Sequence, residues 1–202
     1  MTMPHHGGAT TLALFASSWA IMVAVLMVPL TLPVAAVLWQ GQAGDPRRGL
    51  SLGLFWGAYV GVWMVVGLGL WAVRGALPTD AGALLVAGVY QLTPLKRSCL
   101  RLCRAPLALV YRFYRPGLVG AVTFGLRYAG TCVGCCWALM AAMMLVSAMA
   151  VWVAAPLAAV AVLERVLPAR AAYRLGTAAG LAGVMAGLAG VVARLAESGP
   201  HP

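Results

Sequence analysis

Leu12–Leu38 reads LALFASSWAIMVAVLMVPLTLPVAAVL, 27 residues without a single charge. A helix crosses the hydrocarbon core of a bilayer with about 20 apolar residues, so this run alone predicts a transmembrane segment. Further uncharged runs lie beyond it. Residues 50–73 form a second, between Arg48 and Arg74, and 81–95 a third, ended by Lys96-Arg97. Residues 128–163 carry no charge either. That stretch is too long for one crossing and reads as a tight helical hairpin, 128–147 and 149–166, breaking near Ser147–Ala150 with Pro156 nearby. A last span covers 175–193. The expected fold is all-α, a polytopic transmembrane bundle of six spans in one domain, 1–202, with a basic loop at 96–127.

Composition agrees. Hydrophobic residues are 63% and charged residues 9% of the chain, with mean hydropathy +0.93, where a soluble domain carries about 25% charged residues. Lys plus Arg number 14 against 4 Asp plus Glu, a net charge of +10. In a soluble protein that excess would suggest nucleic acid; in a membrane protein it reports orientation, because Lys and Arg collect on the cytoplasmic side. With six spans and both termini outside, Arg47, Arg48, Lys96, Arg97, Arg101, Arg104, Arg112, Arg115, Arg127, Arg165, Arg170 and Arg174 fall inside. Only Arg74 and Arg194 fall outside. Merging the hairpin into one span would move Arg165, Arg170 and Arg174 outward and spoil the bias. Trp71 and Trp152 then mark the outer interface, and Trp39 and Trp56 the inner one. The expected location is a bacterial inner membrane, multi-pass.

The first span is read as a true crossing rather than a cleaved signal, since nothing basic precedes it and it exceeds the roughly 7–15 residues of a signal core. Pro29 and Pro33 should kink it, which requires neighbouring groups to satisfy the freed carbonyls. Asp45, Asp80, Glu164 and Glu197 are the chain's carboxylates. They leave paired general acid–base catalysis or an all-oxygen metal cage almost no raw material, so no enzymatic activity is expected. Small-residue ridges at Gly53, Gly57, Gly61 and at Gly176, Gly180, Gly183, Gly187, Gly190 announce close helix packing, either within the chain or against another subunit or copy.

The chemistry is concentrated in sulfur. Cys99 and Cys103 stand four apart in KRSCLRLCR, and Cys132, Cys135 and Cys136 in TCVGCCW. The topology brings both groups to the cytoplasmic end of neighbouring spans, with Cys99 and Cys103 on one face of a helix continuing the third span. Reducing conditions there argue against a structural disulfide, and clustered thiolates flanked by basic residues are soft ligands. Cys132, Cys136, Met140 and Met143 or Met144 recur at helical spacing, one sulfur stripe running into the membrane. Met22, Met27 and Met149 could add thioethers, and His5-His6 with Met1 and Met3 could bind metal outside.

Copper(I) accepts thiolate and thioether at low coordination number, whereas zinc prefers four Cys or His ligands; copper(I) is therefore the expected ion and zinc the second. The expected ligands are Cys99, Cys103, Cys132, Cys135, Cys136, Met140, Met143 and Met144. Packing is the competing explanation, above all for the methionines. Thiol redox exchange through Cys132-x-x-Cys135 is another, without the thioredoxin-like context that would support it. The seven basic residues between Lys96 and Arg127 fit attraction to anionic membrane lipid better than nucleic-acid binding.

The strings YQLTPLKRSCL (90–100), CRAP (103–106), GLRY (125–128) and CVGCCWALM (132–140) resemble a bacterial family of predicted metal-binding integral membrane proteins without an assigned function. Trp19–Pro29 resembles that family's Trp- and Met-rich first span. The resemblance implies a membrane protein that binds metal. Two roles follow as expectations: copper(I) binding, delivery or translocation, or an accessory subunit of a larger membrane complex such as a metal-dependent oxidase or monooxygenase.

Overall fold

The computed structural model describes residues 6–73, 80–146 and 151–197, and their regular structure is entirely helical. His5, Met1, Met3, Arg74, Met149 and the break at Ser147–Ala150 lie outside these residues. Four helices are long and apolar enough to cross a membrane, at Thr11–Gly41, Arg48–Ala72, Leu118–Met144 and Ala169–Glu197. The chain forms two compact units, one within Met1–Gly75 and Ala105–Gly130, the other within Ala76–Arg104 and Thr131–Pro202.

In the first unit, α1 (His6–Met22) passes through a π-turn, Val23–Met27, and a tight turn, Pro29–Thr31, into α2 (Leu32–Gly41). Pro29 causes this. Its ring leaves no room for the regular ladder, so the Val28 N–H reaches back five residues to Val23 O at 3.1 Å. Thr31 Oγ1 donates to Val28 O at 2.7 Å and accepts from Trp56 Nε1 of α3 (Arg48–Val73) at 3.0 Å. The kink expected from the sequence is thus satisfied by a neighbouring helix, and Trp56 serves that contact. Trp19 Nε1 donates to Trp63 O at 2.7 Å, against Gly67, where any Cβ would collide with the indole. Phe55 and Tyr59 pack on Phe124 and Tyr128 of α7 (Leu118–Val146) with ring centroids 5.8 to 6.1 Å apart where these rings meet across the helices. A Cβ on Gly125 would sit 2.6 Å from Phe55 O, so glycine lets these two helices meet.

The basic segment 96–127, expected as a loop, is largely helical: α5 (Pro94–Cys103), α6 (Pro106–Phe113) and the first turns of α7. Apolar residues interleaved with its arginines give short amphipathic helices, a pattern that a search for uncharged runs passes over. Arg127, inside α7, stacks over Phe113 at 5.2 Å with its charge exposed.

In the second unit, α4 (Asp80–Leu92) stops three residues before the expected end of its span and does not continue into α5. Pro94 forces Thr93 out of helical geometry, to φ −71° and ψ 147°. Thr93 then caps α5, its hydroxyl accepting from Lys96 N at 3.3 Å. α8 (Val151–Val166) contains Pro156 in its second turn, and α9 (Ala169–Glu197) begins six residues before the expected span. At 13 and 16 residues, α4 and α8 extend about 20 and 24 Å, less than the roughly 30 Å of the hydrocarbon core.

The two glycine ridges differ. On α9, a Cβ at Gly187 would stand 2.8 Å from Ala81 O, and one at Gly183 3.1 Å from the Cα of Gly88; a Cβ on Gly88 would stand 2.5 Å from Val184 N. This ridge is an intramolecular seam with α4. Gly53, Gly57 and Gly61 on α3 have no described atom within 4 Å of a Cβ.

Candidate metal site

α5 buries Lys96, Leu100 and Cys103, at spacing four and three, and exposes Arg97 and Arg101. On α7, Cys132, Cys135 and Cys136 share the buried side, again at three and four. The two stripes meet in the second unit. Cys103 Sγ lies 3.7 Å from Cys132 Sγ and 3.6 Å from Cys135 Sγ, and Cys135 Sγ lies 3.1 Å from Cys136 Sγ. All five cysteines are free thiols. Hydrogen bonds to Cys132 and Cys135, followed by burial, hold the Cys103 thiol well above its ordinary range.

Cys99 shares the α7-facing side of α5 but stands apart from these four sulfurs. It packs on Gly134, where a Cβ would come 2.6 Å from its sulfur. Burial, then the nearby Cys135, raises its pKa. Tyr90 donates from its hydroxyl to Gly134 O on the same turn of α7. Met140 and Met143 continue the buried face of α7 beyond Cys136, and Met144 is half-buried. Met27 is buried and Met22 half-buried in the first unit.

The fifth member of the cluster is a cation. Arg165 Nη2 donates to Cys135 Sγ at 3.2 Å, to Cys103 Sγ at 3.6 Å and to Cys136 Sγ at 4.0 Å. Its Nε and Nη1 are buried without a hydrogen-bond partner among the described residues. A guanidinium stays charged in proteins, and a buried charge is costly unless compensated. The site therefore favours occupants that leave net negative charge on the sulfurs.

Two further contacts fix α8, one against α5 and one against α4. Lys96 Nζ meets both Glu164 carboxylate oxygens at 2.5 Å, and Gln91 Nε2 donates to Glu164 Oε1 at 3.1 Å. Lys96 and Glu164 are each only 1% exposed. Gly176 of α9 makes room for that carboxylate, since a Cβ there would strike Glu164 Oε1. Arg104, beside Cys103, donates to the carbonyls of Glu164 and Leu167 and so caps the end of α8. The sequence reading treated Arg165 only as a cytoplasmic charge and gave Lys96 and Glu164 no structural part. The signal for all three was a Glu-Arg pair ending an apolar helix, which has to be paired if it is buried.

The family comparison bears on this cluster. The model of PpoB2, described as a copper chaperone, matches residues 16–190. The chain belongs to the PpoB2 copper chaperone family. No curated protein and no solved structure matches it. The match covers both cysteine groups and Arg165, and it supports the metal-binding resemblance carried by the TPLK and CVGCCW strings. Copper in this family is cargo, and soft sulfur donors suit it.

Among the described residues, no three His, Cys, Asp or Glu side chains already converge on a shared metal position. The sulfurs instead touch one another. With metal–thiolate bonds of about 2.3 Å, tetrahedral ligands stand about 3.8 Å apart, trigonal ones about 4.0 Å and linear ones about 4.6 Å. Two of the observed separations, 3.6 and 3.7 Å, approach the tetrahedral and trigonal values, while the Cys135–Cys136 pair at 3.1 Å would have to open. Side-chain rotation about χ1 is sufficient for that adjustment.

Proposed function

We propose that the protein is a membrane-embedded copper(I) chaperone that holds the ion among Cys103, Cys132, Cys135 and Cys136, and is not an enzyme. The observation that carries this reading is the meeting of four buried thiols from α5 and α7 around the Arg165 guanidinium. Copper(I) held by two thiolates leaves a charge of −1, which one guanidinium offsets. Zinc in its preferred four-thiolate shell leaves −2, which one guanidinium does not. In this reading Cys99 is a neighbouring thiol that receives or releases the ion, and Met140, Met143 and Met144 offer thioether positions along α7. Their softness suits copper(I), and packing alone is the alternative for them.

We further propose six crossings, with α4 and α8 as short spans beside α9 and α7, and the termini outside. The twelve-to-two distribution of Lys and Arg supports this arrangement and puts the thiol cluster at the cytoplasmic end.

Anaerobic loading with copper(I), against a chelating competitor, tests the proposal. The wild type should retain copper with all five thiols reduced, and Cys103→Ser/Cys132→Ser/Cys135→Ser/Cys136→Ser should lose it, because hydroxyls are hard donors. Equal retention in the quadruple variant would remove the cluster from copper binding. The accessory-subunit role draws on α3, where a Cβ on Gly53, Gly57 or Gly61 would meet no described atom of another helix within 4 Å. A stable co-purifying protein, seen as added mass in mild detergent, would favour it.

A further inference from the structure

α5 has a second face. Opposite Cys103 it presents Arg97 and Arg101, and with Arg174, Tyr173 and Thr177 of α9 they border an open cavity of about 550 Å³, completed by Pro94 and Ser98. That volume is within the roughly 300–1,000 Å³ range of small-molecule sites. Among the described residues, no carboxylate lines it. Glu164 lines a small adjoining pocket, where its carboxylate is already engaged by Lys96 and Gln91. The serine and threonine hydroxyls already donate to helix carbonyls, Ser98 to Pro94 O at 3.0 Å and Thr177 to Tyr173 O at 2.8 Å. Ser98 also accepts from Arg101 at 3.3 Å. The cationic donors left for a ligand are thus three guanidinium groups, beside the Tyr173 hydroxyl, each guanidinium planar and suited to bidentate contact with phosphate oxygens.

Three uncompensated positive charges facing one cavity repel one another, and an anion relieves that repulsion. The cavity stands where α9, an apolar helix of membrane-spanning length, begins and where α5 leaves α4. Basic pockets at the ends of membrane helices take phospholipid headgroups. We infer that Arg97, Arg101 and Arg174 form a binding site for a ligand with two phosphate groups, whose source at this position is the headgroup of a dianionic phospholipid. Two phosphodiesters bring −2 against +3, and the volume exceeds what one phosphate needs. The site is separate from the thiol cluster and does not depend on the copper reading.

The full-length protein in detergent, titrated with cardiolipin, phosphatidylcholine or pyrophosphate and followed by native mass spectrometry, tests this. Cardiolipin should bind and phosphatidylcholine should not. At about 1 kcal/mol per arginine, each substitution weakens binding roughly fivefold, and Arg97→Gln/Arg101→Gln/Arg174→Gln by more than about a hundredfold. Arg112→Gln/Arg115→Gln/Arg127→Gln removes the same charge from exposed positions outside the cavity and should leave cardiolipin binding within a few fold. Unchanged helical circular dichroism and copper content show that both variants are folded. Pyrophosphate binding as tightly as cardiolipin, and lost in the first variant only, would support the site while assigning it a soluble phosphate ligand. Equal loss in the two triple variants, or no cardiolipin binding by the wild type, would overturn the proposal.

Discussion

Glu164→Leu should be among the most destabilising single substitutions in the second unit. It leaves the Lys96 ammonium, 1% exposed, without the carboxylate it meets at 2.5 Å. Removing one member of a buried ion pair costs about 3–5 kcal/mol, because the remaining charge stays desolvated. For a chain of this length, about 2–4 °C per kcal/mol puts the fall in Tm at roughly 6–20 °C. The double variant Lys96→Met/Glu164→Leu removes both charges at nearly constant volume, and such replacements are often neutral. Its residual cost is about 1–3 kcal/mol for the Gln91 amide, which loses its acceptor. The double variant should therefore be more stable than Glu164→Leu alone, a strongly non-additive cycle. Copper retention should follow the same order, since Glu164 and Arg165 are adjacent and about 100° apart around α8: the pair that faces Lys96 also aims the guanidinium at the sulfurs. Thermal unfolding in detergent, with metal content measured below Tm, provides both readouts. Additive losses would mean that the pair contributes no coupling and that α8 is held some other way.

Gly183→Leu should lower stability or yield far more than Ala186→Leu: a Cβ at Gly183 already stands 3.1 Å from Gly88 Cα, whereas Ala186 is exposed; detergent-stable yield by size exclusion compares them. Gly134→Ala should displace the Cys99 sulfur, costing about 1–3 kcal/mol, and Cys99→Ala in the same chain should restore most of it, read from paired melting curves. Met140→Leu/Met143→Leu should keep Tm within a few degrees, as the packing cost of each exchange is below about 1.5 kcal/mol, while slowing copper transfer to an acceptor chelator; unchanged transfer would return these methionines to packing.

The sequence made the four long apolar helices legible because charge-free runs and mean hydropathy report them directly, without any tertiary contact. It failed where tertiary contacts decide. The uncharged run 81–95 gave no weight to Pro94, and the proline with the Thr93 cap splits it. The arginines of 96–127 looked like a loop, although their apolar neighbours form helices between them. At the site, spacing correctly grouped Cys103 with the three cysteines of α7 and put Cys99 on the same side of α5. It could not tell that Gly134 occupies the level at which Cys99 meets α7, because that depends on the vertical offset of two helices rather than on period. Arg165 was invisible for a related reason. Charge bias counts an arginine at a helix end without asking what it touches, and only the packing of α8 against α5 and α7 turns it toward sulfur.

X-ray absorption at the copper edge, on protein loaded anaerobically with copper(I), tests the central claim most directly. The account predicts a first shell made only of sulfur, with copper reduced, in wild type and in Cys99→Ala alike. A shell containing nitrogen or oxygen, or an unchanged sulfur shell in Cys103→Ser/Cys132→Ser/Cys135→Ser/Cys136→Ser, would contradict it.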